Sequence, residues 1–244
     1  MNFGNLLSEY KEYSDFCAAV KKGRTPVSVA GIVESAVPQF ISEAREGKKT
    51  LVVACSDMEA KQLAADLQFF CGSVYLFPAR EYVFYNIDAR NHHDEYMRIE
   101  ALAALEENAV AVASLESILQ YTIPKETLKK YTLSFGMDSE YDLDALSETL
   151  VKMGYVREEE VSGKGQFALR GGILDIFSVQ TENPVRIEFF DTQVDSIREF
   201  DVMTQRSVGT LDKTVVLPCT ELIFEDKNAL CSKAEEYIKK LKRK

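Results

Sequence analysis

Arg170, Arg186 and Phe190 are the residues of this 244-residue chain whose types and setting best suit contact with another molecule. Val185 to Asp191 has the pattern of a strand. Its alternation puts Val185, Ile187 and Phe189 on one side, and Arg186, Glu188 and Phe190 on the other. A half-buried strand normally turns polar groups to water. An aromatic at 190, about 13 Å along the strand from Arg186, therefore marks a contact surface. Arg170 precedes Gly171-Gly172, where the missing side chains leave its guanidinium accessible. Guanidinium groups hold carboxylates through two parallel hydrogen bonds, and arginines and aromatics dominate contact energies. The competing expectation is that Arg170 and Arg186 pair only with Asp175 and Glu188, and that Phe190 packs beneath a loop.

Nucleotide chemistry would need a phosphate loop after the first strand, of the form GxxxxGK[ST]. From Gly31 the chain runs GIVESAVP. Ala36 stands at the second glycine, Val37 at the lysine and Pro38 at the hydroxyl residue. The cation opposing the terminal phosphates is missing, Pro38 has neither hydroxyl nor amide proton, and Glu34 adds a repelling charge. The sequence thus implies a loop that does not hold ATP. Other chemistry is sparse. His92 and His93 adjoin Asp94 and Glu95 without the i, i+4 spacing of helical metal ligands, so a solvated loop is expected. Ser35 and the five cysteines have no visible base partner, and the run Glu158 to Glu160 suits a solvated segment. No catalytic residue, cofactor or metal is expected, and the chain is read as a non-enzyme.

Composition narrows the partners. Net charge is −10, and residues 136–217 carry sixteen Asp or Glu against eight Lys or Arg. Phosphate neutralisation supplies most non-specific affinity for DNA, so this balance argues against such a grip. The basic end Lys239 to Lys244 is the exception and resembles a helix terminus of a longer chain. No apolar run approaches the roughly 20 residues that span a bilayer. The first residues lack a basic segment followed by an apolar one, so no secretory signal is expected. Cys17, Cys55, Cys71, Cys219 and Cys231 form no CxxC pair, as suits thiols in a reducing cytoplasm.

The elements that position these residues fall into two patterns. From Val27–Ala30, through a helix bearing Val37, Phe40, Ile41 and Ala44, the chain alternates strand and helix. Thr50–Cys55 is expected as a buried strand, followed by a Ser56-capped helix with Leu63, Leu67 and Phe70 inward. Strands at Ser73–Phe77 and Ala109–Ala113, a helix over Met97–Leu105, and a Ser114-capped helix through Tyr121 complete an α/β domain with a parallel sheet. After Tyr131 the rhythm changes. Asp142 caps a helix with Leu143, Leu146, Leu150 and Met153 inward, closed by Gly154. Strand follows strand thereafter, with a hairpin across Thr192-Gln193, then a helix over Asn228–Leu241. The expected division is 1–135 for the α/β domain, 136–217 for an antiparallel α+β module, and 218–244 for a segment returning to the first domain.

FALRGGILDIF, VRIEFFD, VDSIREFD and TQRS occur in one order over about forty residues. In that order they resemble the small inserted domain shared by UvrB and the bacterial transcription-repair coupling factor family, Mfd. The lead-in YDLDALSETLVKMGY resembles the same family. LVVACSDMEAKQLAADLQFF, LFPARE and RIEALAAL resemble the coupling factors more than UvrB. The resemblance implies a degenerate RecA-like, P-loop-type α/β domain carrying the α+β module as an insertion. It also implies that UvrA, the damage-recognition ATPase, is the partner, met by Arg170, Arg186 and Phe190. The same surface would contact the C-terminal domain of the full-length protein and restrain it. RNA polymerase and DNA would be met only through regions outside this chain. The alternative is a UvrB-like fragment that binds ATP and DNA; the degenerate loop and the acidic balance oppose it.

Overall fold

Apolar runs separated by amphipathic segments build the first half of the chain, and alternating strands build the second. A computed structural model describes residues 6–80, 92–137, 139–224 and 227–241. The chain forms two units, Met1–Tyr121 and Thr122–Lys244.

The first unit contains α1 (Lys11–Lys21), α2 (Val37–Ala44), β1 (Thr50–Ala54), α3 (Asp57–Gln68), β2 (Val74–Phe77), α4 (His93–Ala104), β3 (Val110–Ser114) and α5 (Leu115–Ile118). Its parallel sheet has the order β1-β3-β2. β3 is buried along its whole length. Val110 and Val112 pack with Ala60, Ala64 and Leu67 of α3, while Ala111 and Ala113 pack with Ala101 of α4. A central strand covered on both faces requires this continuous apolar run. Ser56 accepts the Glu59 amide at 3.2 Å and Ser114 the Ser117 amide at 3.1 Å, so both caps form as the sequence implies.

Three expectations fail in this unit. Val27–Ala30 is no strand: it joins neither ladder and is largely exposed. Its alternation offers two valines to one side and a serine to the other, too little apolar surface for a strand buried on both faces. β1 is a strand but is only half-buried: Val52 and Ala54 pack on the α3 side of the core, while Leu51 and Val53 on its other face are exposed. The helix begun at Ser114 ends at Ile118, short of Tyr121, and Leu119 and Tyr121 face solvent.

The second unit contains α6 (Lys125–Lys130), β4 (Leu133–Gly136), α7 (Leu143–Lys152), β5 (Val156–Arg157), β6 (Gln166–Arg170), β7 (Ile173–Ile176), β8 (Val185–Phe190), β9 (Gln193–Phe200), β10 (Ser207–Thr210), β11 (Lys213–Val216) and α8 (Lys227–Leu241). β10-β9-β8-β7-β6-β5 form one sheet, antiparallel except between β5 and β6. β4 and β11 form a separate antiparallel pair. Phe167, Leu174, Ile176, Val185, Ile187, Val194 and Ile197 are fully buried, and so are Leu150 and Met153 of and just after α7. The hairpin between β8 and β9 turns at Asp191-Thr192, one residue earlier than expected, since Phe190 pairs with Gln193. Asp191 adopts a positive φ of 57°, which Asp tolerates in tight hairpin turns. The chain ends Lys242 to Lys244, part of the basic terminus, lie outside the described residues.

A bulge adjusts β9 to its neighbour. Glu188 pairs with Ser196 and Phe189 with Val194, leaving Asp195 as the extra residue. Val194 and Ile197, three apart, can then both be buried, which a period of two forbids. Asp142 Oδ1 accepts the Ala145 amide at 2.9 Å and starts α7. Asp142→Ala is expected to cost about 1 kcal/mol of stability, read as a lower midpoint in thermal unfolding.

Candidate docking face on the antiparallel sheet

Cross-strand pairing sets which side chains meet. Ala168, Asp175, Arg186 and Arg198 lie opposite one another across β6, β7, β8 and β9. The neighbouring row holds Arg170, Ile173, Glu188 and Ser196, and Phe190 stands one step further along β8. Two arginines directly opposite each other repel. Each therefore turns to its own acid. Arg198 Nη2 donates to Glu188 Oε2 at 2.9 Å, and Arg186 turns to Asp175.

Asp175 is the hub of this face. Its carboxylate is 1% exposed and receives three hydrogen bonds. Arg186 Nε donates to Oδ1 at 2.6 Å and Arg186 Nη2 to Oδ2 at 2.9 Å, while Arg170 Nη2 donates to Oδ2 at 2.8 Å. A carboxylate withdrawn from water needs such donors to be tolerated. Arg186 also donates to Gln205 Oε1 at 3.3 Å, and its guanidinium lies 4.7 Å from the Phe200 ring centroid. Hydrogen bonding to Asp175, above all, raises the Arg186 pKa further above its ordinary value. Gln205 is carried by a short turn in which Asp201 Oδ1 accepts from the Thr204 amide at 2.8 Å and hydroxyl at 2.7 Å.

The three residues singled out in the sequence differ in setting. Phe190 is 78% exposed at the hairpin end. The Arg170 side chain is 54% exposed and bonds Asp175 through one nitrogen. Arg186 is less open than expected, at 26%, because Asp175 and Phe200 hold it against the sheet. The pairing of Arg186 with Glu188 does not occur; both arginines share Asp175. Glycine is required beside them. A Cβ on Gly172 would stand 2.8 Å from the Phe189 carbonyl oxygen, and the Phe189 amide already donates to Gly172 O at 2.7 Å. The sequence named Asp175 only as an ion-pair partner in the competing expectation, not as a hub for both arginines, and it left Phe200 and Gln205 unmarked.

The other candidates stand apart. Gly31 has a φ of 81°, a short 3-10 turn covers Glu34–Ala36, and Pro38 is buried in the first turn of α2. His92 lies just before α4, with its Nδ1 3.4 Å from Glu95 Oε2. Among the described residues, no three His, Cys, Asp or Glu side chains are placed to hold a metal ion. No helix of the described residues is long and apolar enough to cross a membrane.

Residues 133–222 match the family model described as the UvrB interaction domain. They contain β4 to β11, and so the whole face built around Asp175. The chain is 31% identical over 229 residues to a transcription-repair-coupling factor of Bacillus subtilis, covering 91% of this chain and 20% of that protein. It is 33% identical over 228 residues to one of Staphylococcus epidermidis, covering 91% and 19%. With one of Staphylococcus haemolyticus it shares 32% over 210 residues, covering 84% and 18%. The chain thus spans about a fifth of the length of the curated relatives it matches. Residues 133–222 correspond to the UvrB interaction domain model, and the chain is similar over 91% of its length to a part of the transcription-repair-coupling factors.

Proposed function

We propose that this chain is the non-enzymatic, N-terminal interaction region of a transcription-repair coupling factor and that it recruits UvrA through Arg170, Arg186 and Phe190. The observation that carries the proposal is a bare aromatic, Phe190, on the same sheet face as two arginines oriented by one buried carboxylate, within the segment that matches the UvrB interaction domain. Exposed aromatics and arginines on a rigid sheet are the residue types that concentrate contact energy. The module is taken as 136–217, inserted in a degenerate RecA-like domain formed by 1–135 with the segment 218–244. A parallel sheet with helices on both faces supports that assignment for the first part. In the full-length protein the same face would also meet its own C-terminal domain, which would restrain the factor until it engages RNA polymerase. Polymerase and DNA would be bound by other regions.

Titration calorimetry of the chain with UvrA tests this. Saturable binding is expected, and absence of heat at concentrations up to about 100 μM would remove the docking role. A fluorescent ATP analogue is expected to show no saturable binding, because Val37 and Pro38 replace the lysine and hydroxyl of a phosphate loop. Saturation by the analogue would instead favour a UvrB-like nucleotide-binding fragment.

A further inference from the structure

We infer that Asp175 is the positioning residue of the docking face, and that the edge it leaves open receives a carboxylate from an acidic patch on the partner protein. The inference rests on the docking role proposed above. Asp175 itself is out of reach, at 1% exposure, with both oxygens engaged by the arginines. What it does is orient them. Arg186 offers Asp175 its Nε and Nη2 edge, and the bidentate contact together with the Phe200 ring fixes the guanidinium plane. A guanidinium carries five N–H donors. Arg186 Nη1, and Nε and Nη1 of Arg170, make no hydrogen bond among the described residues, so donors remain for a second acceptor.

Charge chooses that acceptor. Two guanidiniums share the ion pair with one carboxylate, and Glu188 and Glu160 act on Arg186 without pairing with it, which leaves a positive edge on a module that is otherwise strongly acidic. The adjacent Arg198–Glu188 pair is already neutral in sum. Half-exposed Ile173 lies opposite Arg170, and bare Phe190 stands one step beyond Glu188 along β8, so a partner laid across this face would cover both and exclude water from the contact. Because the arginines are held before binding, little side-chain freedom is lost when the partner carboxylate arrives.

The test is the binding kinetics of Asp175→Asn with UvrA, alongside the wild-type chain. The substitution keeps the size of the side chain but raises the local charge by one. If the arginines acted only as charges, an acidic partner would bind the variant as tightly or more tightly at low salt. Positioning instead predicts about tenfold weaker binding, mostly through faster dissociation. In an Arg170→Ala/Arg186→Ala background the same change is expected to have no further effect, which a general structural role would not produce. Thermal unfolding checks the fold. Should the Asn variant not fold, Phe200→Leu removes the ring under Arg186 without touching a charge, and it too is expected to speed dissociation. Wild-type affinity is expected to fall as NaCl rises from about 0.05 to 0.5 M. Failure of the wild-type chain to bind overturns the docking role. Wild-type binding with unchanged kinetics in the folded variant overturns the positioning role alone, and salt-independent affinity overturns the carboxylate.

Discussion

Arg186→Ala is expected to weaken UvrA binding by about 30-fold or more, or roughly 2 kcal/mol, and to lower the stability of the chain as well. Both effects follow from one geometry. The guanidinium contributes two of the three hydrogen bonds to Asp175, and the carboxylate is buried. Removing it leaves a charged acceptor with one donor from Arg170, a loss of roughly 1–3 kcal/mol of stability. It also exposes the Phe200 ring and frees Gln205 from its contact. Arg186→Lys should recover little of the affinity. An ammonium is a compact charge and cannot span both Asp175 oxygens while presenting a further donor edge. Calorimetry for affinity and denaturant unfolding for stability separate the two losses. An Arg186→Ala protein that binds as tightly as wild type would remove this residue from the contact, whatever its stability.

Phe190→Ala is the complementary case: about 30-fold weaker binding, with stability nearly unchanged. The ring is 78% exposed, so truncating it opens no cavity in the sheet. Its rigid placement comes from the backbone, where the Asp191-Thr192 turn and the pairing with Gln193 hold the strand end. A large ring held in water gains by desolvation when a partner covers it, and two torsions are all it must freeze. Loss of affinity with an unaltered unfolding midpoint is the expected signature. If both stayed constant, Phe190 would be an ordinary surface aromatic. If both fell together, the ring would be supporting the hairpin itself rather than a partner.

The contrast between these variants reflects what a strand can and cannot declare in sequence. VRIEFF declares its two faces, because the pleat alternates every residue, and Phe190 is conspicuous on the polar side for that reason. The caps at Ser56, Ser114 and Asp142 are equally local, each a short side chain reaching an amide three residues on. Gly154, with a φ of 92°, ends the α7 segment in the way its position implies. Val27–Ala30 shows the limit of the same rules. Its alternation is that of a strand, but a strand exists only with a partner to pair with, and that partner is not encoded nearby.

Local periodicity, caps and composition therefore determined most element types, the failure at Val27–Ala30 apart, and with them the sidedness of β8, the lack of a lysine in the Gly31 loop, and the order of motifs. Tertiary structure alone decided that Asp175 serves both arginines, that Glu188 belongs to Arg198, and that β1 lies at an edge with one face bare. The reason is register. The pairing of β6, β7 and β8 brings both arginines to Asp175, while the turn at Asp191-Thr192 and the bulge at Asp195 set which β9 residues face Arg186 and Glu188, so that a shift of one residue there would exchange those partners.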